Sequence, residues 1–103
     1  MADVTVAADE IGAYEIALTA NTAKSVLFQR DLSEVEVANM GGTTTVYARL
    51  SPEAEARAAT VAGRFSYPVY PNSVVTLPVS RVDGNLYVSL ISSGATTVWV
   101  NGT

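Results

Sequence analysis

The sequence predicts an all-β protein, specifically an antiparallel β-sandwich of about seven to nine strands with jelly-roll or immunoglobulin-like topology. Apolar and polar residues alternate with a period of two along many short segments, and these segments are rich in Val, Thr and aromatic residues. Turn-forming residues separate the segments at intervals of about 8–12 residues. A chain of 103 residues is long enough for one such domain with its own core.

Two parts of the chain are distinguished by their pattern. Residues 1–12 alternate weakly and are interpreted as an N-terminal arm or an edge strand, whereas residues 13–103 form a single sandwich domain. The alternating runs are residues 4–6, 14–19, 25–28, 34–37, 45–50, 74–79, 86–91 and 97–100. The residues expected in the core are Ile16, Leu18, Val37, Val46, Val75, Leu77, Val88, Leu90, Val98 and Val100.

Two stretches of the sequence resemble each other. Residues 42–48 read GTTTVYA and residues 94–100 read GATTVWV. Little else matches when the two halves of the chain are superimposed, so a tandem duplication is rejected. We interpret the pair as two hairpins of the same type, each with a glycine turn that leads into a Thr-rich second strand.

One segment has helical features. Ser51 has the chemistry of an N-cap, Pro52 suits the first helical position, and residues 53–58 are acidic or good helix formers. Because so few residues are marginal as an isolated helix, residues 52–58 are predicted to form either a short helix or a loop.

Composition excludes several kinds of function. The chain contains no Cys and no His, which excludes zinc sites and His-dependent nucleophiles. We therefore expect no enzyme activity, no catalytic residues, no cofactor and no metal.

The charge distribution removes two classes of partner. The net charge is −4 and the six Lys and Arg residues are scattered, so nucleic-acid binding and a basic membrane anchor are not expected. No apolar run approaches the length of a membrane span, and the first residues lack signal-peptide features, which predicts synthesis in the cytoplasm.

Aromatic residues recur at equivalent positions in three predicted strands. If Val46, Val88 and Val98 point to one face, then Tyr47, Tyr87 and Trp99 point to the other face. Both faces of such a sheet are apolar. Three interpretations stay open for the aromatic residues: cover by a loop or neighbouring strand, a protein interface, or a sugar-stacking surface.

A second group of aromatic residues lies in a proline-rich segment. Phe65, Tyr67 and Tyr70 are interspersed with two prolines, which predicts an extended and rigid apolar surface. We predict that this segment and residues 2–12 lie at contacts between subunits.

The run from Val35 to Val100 resembles small virion proteins of tailed bacteriophages. The similarity lies in a strand that ends in a Gly turn (residues 35–42), a strand containing Val46-Tyr47-Ala48, a Pro-containing approach at residues 70–73, and closing strands that end at Trp99-Val100. Capsid decoration (cement) proteins look like this, as do some head–tail joining and tail accessory proteins.

The resemblance implies a structural virion protein that binds the outer surface of the capsid and stabilises contacts between shell subunits. The major capsid protein or another virion subunit would be its partner, and a homo-oligomer, with a trimer favoured, would be its state. The alternatives are a head–tail joining or tail accessory protein and, from a different class, a carbohydrate-binding or adhesion module.

Overall fold

The described part of the chain forms nine β-strands arranged in two facing sheets. The computed structural model describes residues 3–10, 12–40, 43–52, 57–63, 65–79 and 85–103. Every alternating run in the sequence contains a strand, so the all-β prediction is confirmed. In the described part of the chain, no helix is long and apolar enough to span a membrane. The strands are β1 (Val4–Val6), β2 (Tyr14–Leu18), β3 (Lys24–Phe28), β4 (Glu34–Asn39), β5 (Val46–Pro52), β6 (Tyr67–Val69), β7 (Ser73–Pro78), β8 (Leu86–Ser92) and β9 (Thr96–Gly102).

The strand order is that of a jelly roll. Sheet A has the order β1-β3-β8-β5-β6 and sheet B has the order β2-β9-β4-β7. Strands β2 to β9 therefore supply two four-stranded layers in jelly-roll order, and the immunoglobulin-like alternative is not observed. Strand β1 extends sheet A beyond β3, and this pair is parallel, whereas all the other strand pairs of the described residues are antiparallel.

The core fills the space between the two sheets. Along β2, β4 and β9, buried residues alternate with more exposed ones, because successive side chains of a strand point to opposite faces. Nine of the ten predicted core residues are buried, and Val75 is partly buried against them. The aliphatic faces of the three strands that carry Tyr47, Tyr87 and Trp99 are thus the core faces.

The two matching stretches are not hairpins. Strand β4 lies in sheet B and β5 in sheet A, while β8 lies in sheet A and β9 in sheet B. Each stretch therefore opens a strand after the chain has crossed from one sheet to the other. The prediction was wrong because glycine turns and alternation show where a strand begins, not which sheet it joins.

A buried asparagine holds the two crossings together. The Nδ2 amide of Asn39 donates to the carbonyl oxygens of Thr44 (2.8 Å) and Val69 (2.9 Å). Its Oδ1 accepts a hydrogen bond from the Thr96 hydroxyl at 2.9 Å. Asn39 is fully buried, and its side chain links the start of β5, the end of β6 and the start of β9.

Arg57 and Ala59, in the connection from β5 to β6, bind side chains of the outer face of sheet A. The backbone N–H of Arg57 donates to Ser51 Oγ (3.1 Å), and that of Ala59 donates to Ser89 Oγ (2.9 Å). Pro52 belongs to β5, and Arg57 and Ala58 have no regular structure. Residues 53–56, the centre of the predicted helix or loop, lie outside the described residues.

The N-terminal segment is a strand of the domain. The Asp3 carboxylate accepts a hydrogen bond from the Ser25 N–H (2.8 Å), and the Gln29 N–H donates to the Val6 carbonyl (3.0 Å). Val6 is buried and Val4 packs against the core. These contacts are made within one chain and tie β1 to β3 along one side of the strand.

Candidate functional site

Large apolar side chains are exposed along one side of the sandwich. Phe65, Tyr67 and Tyr70 are 70%, 47% and 62% exposed, and Val74 is 54% exposed. We call these four residues the aromatic edge. Three exposed rings within residues 65–70 make this surface a candidate contact site.

Two neighbouring edge strands position the aromatic edge. Strand β6 ends sheet A and β7 ends sheet B, and the two strands contact each other. The turn between them contains Asn72 at a φ of 60°, and the Asn72 N–H donates to the Asn39 carbonyl at 2.7 Å. Pro68, in β6, is compatible only with an edge strand, because it has no N–H to donate.

A groove opens beside the aromatic edge. Its volume is about 380 Å³, within the size range of small-ligand sites. The guanidinium carbon of Arg49 lies 5.4 Å from the centre of the Phe65 ring, a cation–π distance. The described residues that line the groove are Arg49, Leu50, Ser51, Pro52, Phe65, Tyr67, Pro78, Val79 and Leu86.

Tyr47 and Tyr87 lie elsewhere, on the outer face of sheet A. Both are half-buried, and their strands β5 and β8 are neighbours. The connection anchored to Ser51 and Ser89 crosses this same face. Of the three interpretations that the sequence left open for Tyr47 and Tyr87, this arrangement favours cover by a loop.

Trp99 lies on the opposite side of the molecule. Its strand, β9, belongs to sheet B, and its buried neighbours Val98 and Val100 place Trp99 on the outer face. The structure therefore does not bring Tyr47, Tyr87 and Trp99 together. The alternation of the sequence showed correctly that all three side chains point away from the core. It could not show that they lie on different sheets, each of which has its own outer face.

The site includes residues that the sequence prediction missed. Val74 follows from alternation, since Val75 and Leu77 were placed in the core and Val74 must then point outward. Arg49 carried no comparable signal, because its contact with Phe65 joins two residues whose proximity depends on the whole fold.

Among the described residues no cluster of three or more acidic side chains could hold a metal ion. The aromatic edge and the groove beside it combine aromatic rings, the Arg49 guanidinium and a concave shape, which are features of a ligand-binding or protein-binding surface.

Comparison with known proteins shows the fold. No family model and no curated protein matches the sequence. The structure is similar to CBM_E1, a carbohydrate-binding module from a sugar cane soil metagenome solved with cellopentaose and a gadolinium ion (12% identity, TM-score 0.62, covering all of this chain and 94% of that one). It is also similar to the pre-peptidase C-terminal domain of a Bacillus anthracis collagenase (10% identity, TM-score 0.63, covering 100% and 97%).

A third similar structure is PliG of Aeromonas hydrophila, a periplasmic inhibitor of g-type lysozyme (10% identity, TM-score 0.54, covering all of both chains). None of these three is a virion protein. At such low identities the similarity establishes a shared small β-sandwich fold, and function has to be argued from the site.

Proposed function

We propose that this protein is a non-enzymatic structural protein of a virion that attaches to the outer surface of the capsid through the aromatic edge, as capsid decoration proteins do. The observation that carries the proposal is the aromatic edge itself, which exposes three rings and Val74 on a rigid rim of the sandwich. The virion setting is supported by the sequence resemblance described above. Its partner is the major capsid protein or another virion subunit.

The aromatic edge has the properties of a binding hot spot. Aromatic side chains dominate the energetics of protein interfaces and lose little conformational entropy when they are buried. Pro68 and Pro71 and the turn held by Asn39 fix the backbone before binding, which lowers the entropy cost further. A small contact of this kind is weak for one copy, so we propose a homo-oligomer, with a trimer favoured, whose several copies bind together.

The test uses shells assembled from the major capsid protein of the same genome without this domain. Purified wild-type domain is expected to co-sediment with the shells. Tyr70→Ala is expected to weaken binding about tenfold, because it removes an exposed ring from the centre of the contact. Binding is measured as the fraction of domain that pellets with the shells over a range of concentrations.

Tyr14→Ala is the matched control for this experiment. Tyr14 is also an exposed tyrosine at an edge of sheet B, but on β2, at the far side of the sheet from β7. We expect its binding to stay within about twofold of the wild type. If Tyr70→Ala and Tyr14→Ala bind equally well, or if the wild type does not bind the shells, the proposal is wrong.

A second candidate function is carbohydrate binding, which two observations favour. The fold is shared with a carbohydrate-binding module, and the groove beside the aromatic edge is concave, lined by two rings and flanked by polar groups of Arg49 and Ser51. Aromatic rings offer apolar faces on which sugar rings stack, and the polar groups can pair with hydroxyls. Jelly rolls occur both in viral capsids and in lectins, so the fold does not decide between the two candidates.

Calorimetric titration of the isolated domain with cellopentaose and with a chitin pentamer tests this second candidate. If the groove binds sugar, Tyr67→Ala is expected to weaken binding by about tenfold, since Tyr67 lines the groove, while Tyr14→Ala leaves it unchanged. Absence of heat with both sugars, together with binding to sugar-free shells, removes this candidate and leaves the first one standing.

A further inference from the structure

The outer face of sheet B is a second open surface, distinct from the aromatic edge in its charge. The charged residues in its four strands are Glu15, Glu34 and Glu36, and all three are exposed. The strands contain no Lys or Arg. Trp99 lies among these carboxylates, at the middle of the sheet on β9, and is half-buried.

Strand register places two carboxylates next to the tryptophan. Trp99 pairs across the sheet with Glu15 on one side and with the small residue Ala38 on the other. Glu36 pairs with Asn101, two residues further along β9, and so lies diagonal to Trp99. Directly paired side chains of neighbouring strands have Cβ atoms about 5 Å apart, and diagonal pairs remain within reach of an aromatic ring.

Two basic groups of the described residues that lie at the rim of this sheet are directed to backbone carbonyls. Lys24 Nζ donates to the carbonyl of Ala17 at 2.9 Å, and Arg30 Nη2 donates to the carbonyl of Gly102 at 2.7 Å. Both contacts lie at the rim of sheet B, at one strand edge and at one strand end. The centre of the face thus combines an aromatic ring with acidic groups.

We propose that this face binds a basic protein segment, with a Lys or Arg side chain of the partner seated over Trp99 between Glu15 and Glu36. A cation is attracted to the ring of tryptophan more strongly than to other aromatic rings, and neighbouring carboxylates add to that attraction. The small side chains of Ala38 and Ala17 beside the ring leave room for a long basic side chain to lie across the sheet. This site does not depend on the proposed docking edge, because Trp99, Glu15 and Glu36 are not part of that edge, which reaches the outer face of sheet B only at Val74.

The single tryptophan of the chain reports on the site directly. The fluorescence of Trp99 is followed while an oligoarginine peptide is added at low salt, and a peptide with citrulline in place of arginine serves as the neutral counterpart. We expect a saturable change with oligoarginine only. In the double variant Glu15→Gln and Glu36→Gln the Kd is expected to rise about fivefold, and high salt is expected to weaken binding of the wild type.

The double variant Asp9→Asn and Glu10→Gln is the charge-matched control, since both residues are exposed acids outside the four strands of sheet B. Its Kd is expected to equal that of the wild type. The proposal is overturned if no saturable change is seen, if the citrulline peptide gives the same change, or if this control weakens binding as much as the Glu15 and Glu36 double variant, which would indicate attraction by net charge alone. A change produced by cellopentaose or by self-association of the domain, with none from oligoarginine, likewise overturns it.

Discussion

Replacing Asn39 by alanine is expected to lower the free energy of unfolding by about 3–5 kcal/mol. The change leaves two carbonyl oxygens and the Thr96 hydroxyl without their partner in a fully buried position. Unsatisfied buried polar groups each cost about 1–3 kcal/mol. For a domain of this size the loss corresponds to a fall in Tm of about 15 °C or more, measurable by chemical and thermal unfolding.

Asn101→Ala is the matched control, because Asn101 lies on the outer face of β9 and is only half-buried. Its effect is expected to stay within about 0.5 kcal/mol. A loss below about 1 kcal/mol for Asn39→Ala would show that the two sheet crossings are held mainly by packing and not by this asparagine.

Deleting residues 2–7 is expected to lower the free energy of unfolding by about 3–4 kcal/mol. The deletion removes Val6 from the core, removes the partly buried Val4, and leaves the Ser25 and Gln29 N–H groups without their partners. Of the two alternatives that the sequence left open for residues 1–12, an arm would be lost with hardly any change in Tm, whereas an edge strand that packs on the core would not. Guanidinium unfolding of the deletion variant distinguishes the two expectations.

Thr5→Ala tests whether burial, and not mere chain length, explains the effect. Thr5 lies in the same strand but is exposed, so its replacement is expected to change stability by less than about 0.5 kcal/mol. An unchanged midpoint for the deletion variant would mean that β1 does not stabilise the domain.

The core of this protein could be predicted from its sequence because one physical rule determines it. Side chains of a strand alternate between two faces, so the positions of Ile16, Val37 and Val98 in the pattern were sufficient to place them inside. The same rule says nothing about which strands become neighbours. For this reason the hairpins expected at the two matching stretches were wrong, and Trp99 was grouped with two tyrosines that lie on the other side of the molecule.

The hydrogen bonds that polar side chains make to residues distant in the sequence could not be predicted either. Asn39 opens the segment Asn39-Met40-Gly41-Gly42, which has the composition of a turn, yet its side-chain hydrogen bonds reach residues 30 and 57 positions away in the sequence. Strand β6 was not expected because it contains Pro68. A proline is tolerated in a strand at the edge of a sheet, and the sequence does not show that β6 lies at an edge. The exposure of Phe65 and Tyr70 was anticipated from the proline-rich segment, but Val74 and Arg49 join them only in three dimensions.

The most direct test of the proposed docking is a cryo-electron microscopy structure of particles that carry this domain. We expect the domain on the outside of the shell, with Phe65, Tyr67 and Tyr70 buried against a neighbouring subunit and Tyr14 exposed. A density that places the aromatic edge in solvent and another surface of the domain on the shell would contradict the account.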